Sequence, residues 1–329
     1  MSEPLSDRAP AITNLLLGVT RGGNSHGPAS DFLRGTIHRS RVDARTQETL
    51  RLLASFRALR RVQLEEFLFE RAALSATSRR VVAHRLLSGL RERGLVEPVV
   101  APGTVVGGDS RAYVLTAAGR RVYAASDPSY PSRLMRSPST LALLHALLLA
   151  EVALAFRRGA SDAPDASVRW EADWEVVARV GRAFVIPDAF ATIEQGGWRV
   201  RAFVEADRAT EHPKAFARKV HRYVGLYLCG GWRREFHAWP LILTVTTSNP
   251  HARSLSRIAG DAATRSGAER IARAFRFTSA DELRRMGPLA PIWYVPGCED
   301  RSAILELSDE DNGAVVGRPA SALSGTNGG

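Results

Sequence analysis

Apolar residues recur at helical spacing from Arg45 onward. Leu50, Leu53, Ala54 and Leu59 mark one helix, and Leu64, Phe67 and Leu68 mark a second. A third begins after Ser75 or Ser78, either of which suits an N-cap, and carries Val81, Val82, Leu86, Leu87 and Leu90 up to Gly94. LVEPVV and RAYVLT then read as two strands around the Gly/Pro-rich turn APGTVVGGDS, and TAAGRRVYA closes the segment as a helix. The stretch DPSYPSRLMRSPS has no apolar period and is a linker. Beyond it the pattern predicts a helix over 139–158, strands near 168–178, 183–193 and 198–207, and a helix over 213–228. A continuous apolar strand at 241–247, more helix and a late strand at PIWYV follow.

Three helices, a hairpin and a closing helix are the layout of a winged helix-turn-helix, here over residues 41–126. After the linker at 127–138, a helix, three strands, a helix and a buried strand make an α/β layer domain over 139–305. The predicted fold class is therefore α/β, with a winged helix-turn-helix at the N-terminal side. Residues 1–40 and 306–329 lack any sustained period and are expected to be disordered arms.

Composition narrows the function classes. The two cysteines, Cys229 and Cys298, are far apart and give neither a disulfide framework nor a metal-ligand cluster, as expected of a cytoplasmic protein. Glu3 and Asp7 precede an apolar piece, Leu15 to Val19, too short for a secretory signal. LALLHALLLAEVALAF is interrupted by His145 and Glu151 and falls short of the roughly 20 residues that span a bilayer, so a buried helix and no membrane partner are expected. No His-hydrophobe-His relaxase motif and no Walker-type phosphate loop occurs.

The net charge of +11 is concentrated. Residues 39–94 hold thirteen arginines against six acids. Such a block is the footprint of a nucleic-acid contact, the alternative being a solvated basic face. Ser78, Arg79, Arg80, His84 and Arg85 lie on the third helix, where a recognition helix presents side chains to the major groove of double-stranded DNA.

The second domain carries the candidate chemistry. If Gly196 and Gly197 are the central pair of a tight hairpin, Asp188 stands opposite Glu205, with Cβ atoms about 5 Å apart, and Asp207 shares their face. Carboxylates this close repel unless a cation intervenes, and a hard divalent ion, Mg²⁺ or Mn²⁺, held by Asp188 and Glu205 is one resolution. A salt bridge to Arg199 or Arg201, or a one-residue slip in the turn, would be another. Of the 45 basic side chains all but Lys214 and Lys219 are arginine. In the following helix Phe216, Lys219, Tyr223 and Leu226 form a sheet-facing stripe, so Lys219 faces the acids, while Lys214 is expected on the surface.

A helix, strands bearing PD and then ExD, and a helix bearing KxxxY resemble the PD-(D/E)xK nuclease fold. That resemblance implies that Asp188, Glu205, Asp207 and Lys219 form the catalytic set, with Asp188 and Glu205 binding metal. Asp207 stands where the family has Lys, and Lys219 would supply that charge from the helix. Tyr223 completes a likeness to a QxxxY signature, and Glu151 matches the helix-borne acid of several members, its alternative being a surface-facing Glu. More specifically, the chain is similar to the replication-relaxation proteins of actinobacterial plasmids and integrative elements. The matching residues are Pro187, Asp188, Glu205, Asp207, Arg208, Thr210, Glu211, Lys219 and Tyr223, with LTAAGR closing the winged helix.

The likeness implies a role in replication or conjugative relaxation of a mobile element, and a Mg²⁺- or Mn²⁺-dependent DNA endonuclease if the domain is active. Double-stranded DNA, a second copy of the chain, and plasmid replication or relaxosome proteins are the implied partners. The competing reading is a non-catalytic winged-helix regulator or relaxosome accessory whose nuclease-like domain serves dimerisation or docking.

Overall fold

Short polar side chains start the helices of the N-terminal part. Asp43 accepts the Thr46 N–H at 2.8 Å and opens α1 (Ala44–Phe56). Ser75, rather than Ser78, caps α3 (Ala76–Glu92), and Thr116 caps α4 (Ala117–Ser126). Between α1 and α3 lie a two-residue strand, β1 (Leu59–Arg60), and α2 (Arg61–Phe69). Leu59 thus belongs to a strand, because Arg57 takes a positive φ of 67° that ends the helix before it. Strands β2 (Val96–Val100) and β3 (Arg111–Leu115) complete a three-stranded antiparallel sheet in the order β1-β3-β2.

The structure, a computed structural model, describes residues 43–69, 74–101, 111–131, 138–180, 185–209 and 212–304. The two expected arms, most of the APGTVVGGDS turn, much of the linker, and Thr210 and Glu211 lie outside the described residues.

Ser139 caps α5 (Thr140–Asp162), which at 23 residues runs a full turn beyond the expected helix. By length and composition α5 could cross a bilayer. Here Leu143, Leu147, Val152, Leu154 and Phe156 are instead buried in the protein core. A seven-stranded sheet follows, in the order β10-β9-β8-β7-β6-β5-β4. Its strands are β4 (Ser167–Ala172), β5 (Ala189–Gln195), β6 (Trp198–Ala206), β7 (Leu241–Thr246), β8 (Phe275–Ser279), β9 (Trp293–Tyr294) and β10 (Arg301–Ser302). Strands β6, β7 and β8 are parallel and the outer pairs antiparallel. Helices α7 (Pro213–Cys229) and α8 (Asn249–Arg265) connect the parallel strands. The short helices are α6 (Asp173–Val180), α9 (Glu269–Ala272) and α10 (Ala280–Met286).

Three further expectations are corrected. Residues 173–178 form the start of α6 rather than the end of a strand, with Asp173 and Glu175 in the first turn favouring its N-terminus. The next strand begins at Ala189, not 183. Strand β8 lies in a stretch read as helix, although FRFTS is buried along its whole length.

Strand alternation divides the core. Ala191, Ile193, Val200, Val204, Leu243 and Val245 pack in one apolar cluster with α5, whereas Phe190, Phe203, Ile242, Phe275 and Phe277 pack in another with α7 and α8. The first cluster continues without a break into Leu50, Leu53, Leu64, Leu87 and Leu115. Polar ties reinforce it: the buried Gln63 amide donates to the Leu147 carbonyl at 3.0 Å and to Glu151 at 2.9 Å, and Arg57 pairs with Asp173.

One glycine has a steric reason that a substitution can test. A Cβ at Gly119, in the LTAAGR segment, would lie 2.0 Å from the Leu95 carbonyl oxygen, whereas one at Gly89 in α3 would meet nothing within 4 Å. Gly119→Ala should therefore destabilise by about 1–3 kcal/mol or more. Gly89→Ala should be neutral or stabilise by roughly 0.5–1 kcal/mol. Denaturant unfolding of the two variants checks the contrast, and equal effects would contradict the packing described.

Candidate functional site

The hairpin that builds the site has the expected register. Gly196 and Gly197 take φ of 56° and 82°, as a tight primed turn requires, and Glu194 pairs with Arg199 and Ala189 with Val204. Asp188 immediately precedes β5, and its Oδ2 accepts the Ala206 N–H at 2.8 Å. The next residue toward the sheet end on the other strand, Glu205, therefore lies beside it. Pro213 in the first turn and Gly230 at the left-handed C-cap set the limits of α7. Phe216, Val220, Tyr223 and Leu226 of that helix are buried against the sheet.

Glu205 is the most deeply buried acid of the group, with 2 % of its surface exposed. Its Oε2 accepts from Lys219 Nζ at 2.8 Å and its Oε1 from the Tyr223 hydroxyl at 2.5 Å. The lysine-and-tyrosine stripe of α7 is thus seated on the acid of β6. Burial pushes the Glu205 carboxyl up to about 7, against the pull of Lys219 and the Tyr223 hydrogen bond, with the Asp188 charge adding to the rise. Burial, with the neighbouring Glu205 charge, also raises the Tyr223 phenol well above its ordinary value.

Asp188 has a different partner, His145 of α5, whose Nε2 lies 3.1 Å from Oδ1. Burial works to raise Asp188, but the His145 hydrogen bond and charge, Lys219 and the Ala206 N–H outweigh it and hold the carboxyl below its ordinary value. The same hydrogen bond raises His145, against the effect of burial. Asp207 is held from a third direction: its Oδ2 lies 2.7 Å from Nε2 of His251 in α8. Asp188, Glu205, Asp207, His145, Arg208 and Lys219 all border one cavity of about 270 Å³ between the N-terminal ends of α5 and α7.

The predicted residues therefore divide. Asp188, Glu205, Asp207 and Lys219 meet at this cavity, and Tyr223 supports Glu205 from beneath. The acids are each bonded to a separate partner, and neither Arg199 nor Arg201 supplies it; Arg199 pairs with Glu194 at 2.6 Å. Glu151 stands apart from the site, where it accepts from Gln63 at the packing of α2 on α5. Lys214 is exposed, as expected. His145 was legible only as an interruption of an apolar run, and His251 carried no local signal. Among the described residues, no group of three or more His, Cys, Asp and Glu side chains is placed to hold a metal ion.

On α3, Arg80, His84 and Arg85 are exposed and Arg79 is half-buried. Arg79 and Arg80 border a cleft of about 400 Å³ that also holds Glu65, Glu66 and Arg158. Ser78 is occupied locally, with its hydroxyl 2.9 Å from that of Ser75.

Residues 50–241 match the replication-relaxation family, and the chain belongs to that family. The match begins within α1, ends at the first residue of β7, and contains α3, Asp188, Glu205, Lys219 and Tyr223. No curated protein and no solved structure matches the chain.

The buried carboxyl makes a pH prediction. An acid whose folded pKa exceeds its unfolded value binds more protons in the fold. The contribution of Glu205 is therefore nil below about 4.5 and grows steadily more destabilising until pH passes about 7. Glu205→Gln, an isostere of the protonated acid, should gain stability relative to wild type as pH rises from about 5 to about 8 in EDTA. Thermal melts across that range check it. A difference that stays constant with pH would mean that the carboxylate ionises as readily in the fold as outside it.

Proposed function

We propose that this protein binds double-stranded DNA in the replication or conjugative relaxation of a plasmid or mobile element. In this reading the N-terminal helices and small sheet act as a winged helix-turn-helix. The α5–β10 part acts as a PD-(D/E)xK nuclease-like domain that hydrolyses a phosphodiester. The observation that carries the reading is the convergence of Asp188, Glu205 and Lys219 on one cavity at the end of β6. A hard divalent ion can be held by one or two carboxylates with waters completing its shell, and the pair of acids at this cavity is what supports a Mg²⁺ or Mn²⁺ reading. Asp188 and Glu205 would hold such an ion, which supplies Lewis-acid polarisation of the phosphate and a more acidic water when bound. Lys219 would stabilise charge on the attacked phosphate, and Tyr223 would fix the orientation of Glu205. The exposed Arg80, His84 and Arg85 of α3, with Arg79, would contact DNA.

A second reading has its own support. Each acid already has a partner within the protein, His145, Lys219 or His251. A site balanced in this way suits a non-catalytic regulator or relaxosome accessory, in which the nuclease-like domain serves docking or pairing with a second copy.

Plasmid assays separate the two. Supercoiled plasmid should be nicked or cut by wild type with Mg²⁺ or Mn²⁺ and left intact in EDTA, and Asp188→Asn should abolish cleavage. Lys219→Arg should do the same, while Lys214→Arg should be tolerated, because guanidinium does not reproduce a compact ammonium. Intact plasmid in every arm, with binding retained, would establish the non-catalytic reading. For the DNA surface, replacing Arg79, Arg80 and Arg85 with Ala should reduce the slope of log affinity against log salt by about 0.9 for each phosphate no longer neutralised. An unchanged slope in the folded triple variant would move the DNA surface elsewhere.

A further inference from the structure

Among the described residues, the cavity at the end of β6 leaves one of its charged groups without an opposite charge. His145 is bonded to Asp188, Lys219 to Glu205, and His251 to Asp207. Arg208 borders the same cavity, and its Nη1 is shielded from solvent without a hydrogen-bond partner among the described residues. A guanidinium nitrogen withdrawn from water and left unpaired is disfavoured unless something occupies the place it points to. With the acids of the cavity engaged elsewhere, an anion is the ligand that would match its charge.

The backbone around Arg208 is braced rather than relaxed. Ala209 takes a φ of 57°, in the left-handed region that a residue with a Cβ avoids. Asp207 holds it there. Its Oδ1 accepts the Ala209 N–H at 3.0 Å, its own N–H donates to the Val245 carbonyl at 2.8 Å, and its Oδ2 is fixed by His251. Strain of this kind persists only where surrounding structure over-determines it, and it gathers at ligand-binding positions. It also explains why an acid stands where the nuclease pattern has Lys: Asp207 is engaged in holding the turn.

We propose that Arg208 is the anion receptor of this cavity and binds the phosphate group of a nucleic-acid backbone. Asp207 and His251 are positioning residues that hold the 207–209 turn. A planar guanidinium offers two parallel N–H donors to phosphate oxygens, and the Lys219 ammonium on the cavity wall adds a second positive centre. The choice of a phosphodiester over other phosphates rests on the function proposed above. The anion site itself does not, since it needs neither metal nor cleavage.

The test uses the full chain in EDTA at constant ionic strength, titrated with a dithymidine phosphodiester or with inorganic phosphate, with melting temperature as the readout of binding. Wild type should show a saturable rise with the diester. Arg208→Gln should weaken binding about tenfold or more, and Arg208→Lys should recover part of it through charge alone. Asp207→Asn should weaken binding although Arg208 is unchanged, whereas a residue that served stability alone would lower the melting temperature without altering diester affinity. If Arg208→Gln does not fold, Arg208→Lys compared with wild type decides the same question. Undiminished diester binding by Arg208→Gln or Arg208→Lys, or no binding of either phosphate by wild type, would overturn the assignment. Binding of inorganic phosphate but not of the diester would overturn the nucleic-acid ligand. Phosphate binding without cleavage in any metal would leave Arg208 standing and remove the nuclease; cleavage unimpaired in Arg208→Gln would do the reverse.

Discussion

A carboxylate buried at the end of an inner strand is the constraint around which this protein is arranged. Glu205 lies on β6 with almost no exposure, in a layer otherwise filled by Phe203, Phe275 and Phe277. A lone charge there would be strongly disfavoured, and the fold answers with two donors from a single helix, Lys219 and Tyr223, one turn apart on α7. That requirement sets the rotation of α7 on the sheet. It also accounts for lysine in a chain whose other internal cations are arginine: a compact ammonium on a flexible stem reaches a buried oxygen that a broad planar group fits less readily. Even so, burial outweighs the partners and pushes the carboxyl up to about 7.

The site's other charges are organised outward from that point. Asp188 is fixed by α5 through His145, and Asp207 by α8 through His251. Three helices that converge on the sheet end thereby each contribute one basic side chain to one acid. The arrangement positions the acids with or without a bound ion, and it spends Asp207 on shaping the turn that carries Arg208. The same helix α5 packs against α1, α2 and β1, so helix α3 and the strands beside the acid cavity share one connected apolar core.

Much of this was legible in the amino-acid sequence, for physical reasons. Two consecutive glycines admit the positive φ of a primed turn, which pointed to the pairing of β5 with β6 and the proximity of Asp188 to Glu205; the observed register removes the one-residue slip that the sequence left open. The period of Phe216, Lys219, Tyr223 and Leu226 placed the lysine toward the sheet. What could not be read were contacts made by packing. His145 and His251 come from helices distant in the chain, and nothing local distinguishes a histidine that meets an acid from one that meets solvent. Helix α6 is 8 residues long, too short for its period to separate from the alternation of a strand. Glu151 sits on the expected helix, but its side chain is taken by Gln63 from α2, a partner that only the tertiary fold brings near.

The central claim is that the Asp188–Glu205 cavity receives a phosphate, with a hard metal ion beside it. Anomalous diffraction from crystals grown with Mn²⁺ and a short DNA duplex tests it most directly. The account predicts an anomalous peak within bonding distance of Asp188 and Glu205 carboxylate oxygens, with a backbone phosphate against Arg208. A cavity holding neither, with the His145–Asp188 and Lys219–Glu205 pairs intact beside bound DNA, would contradict it.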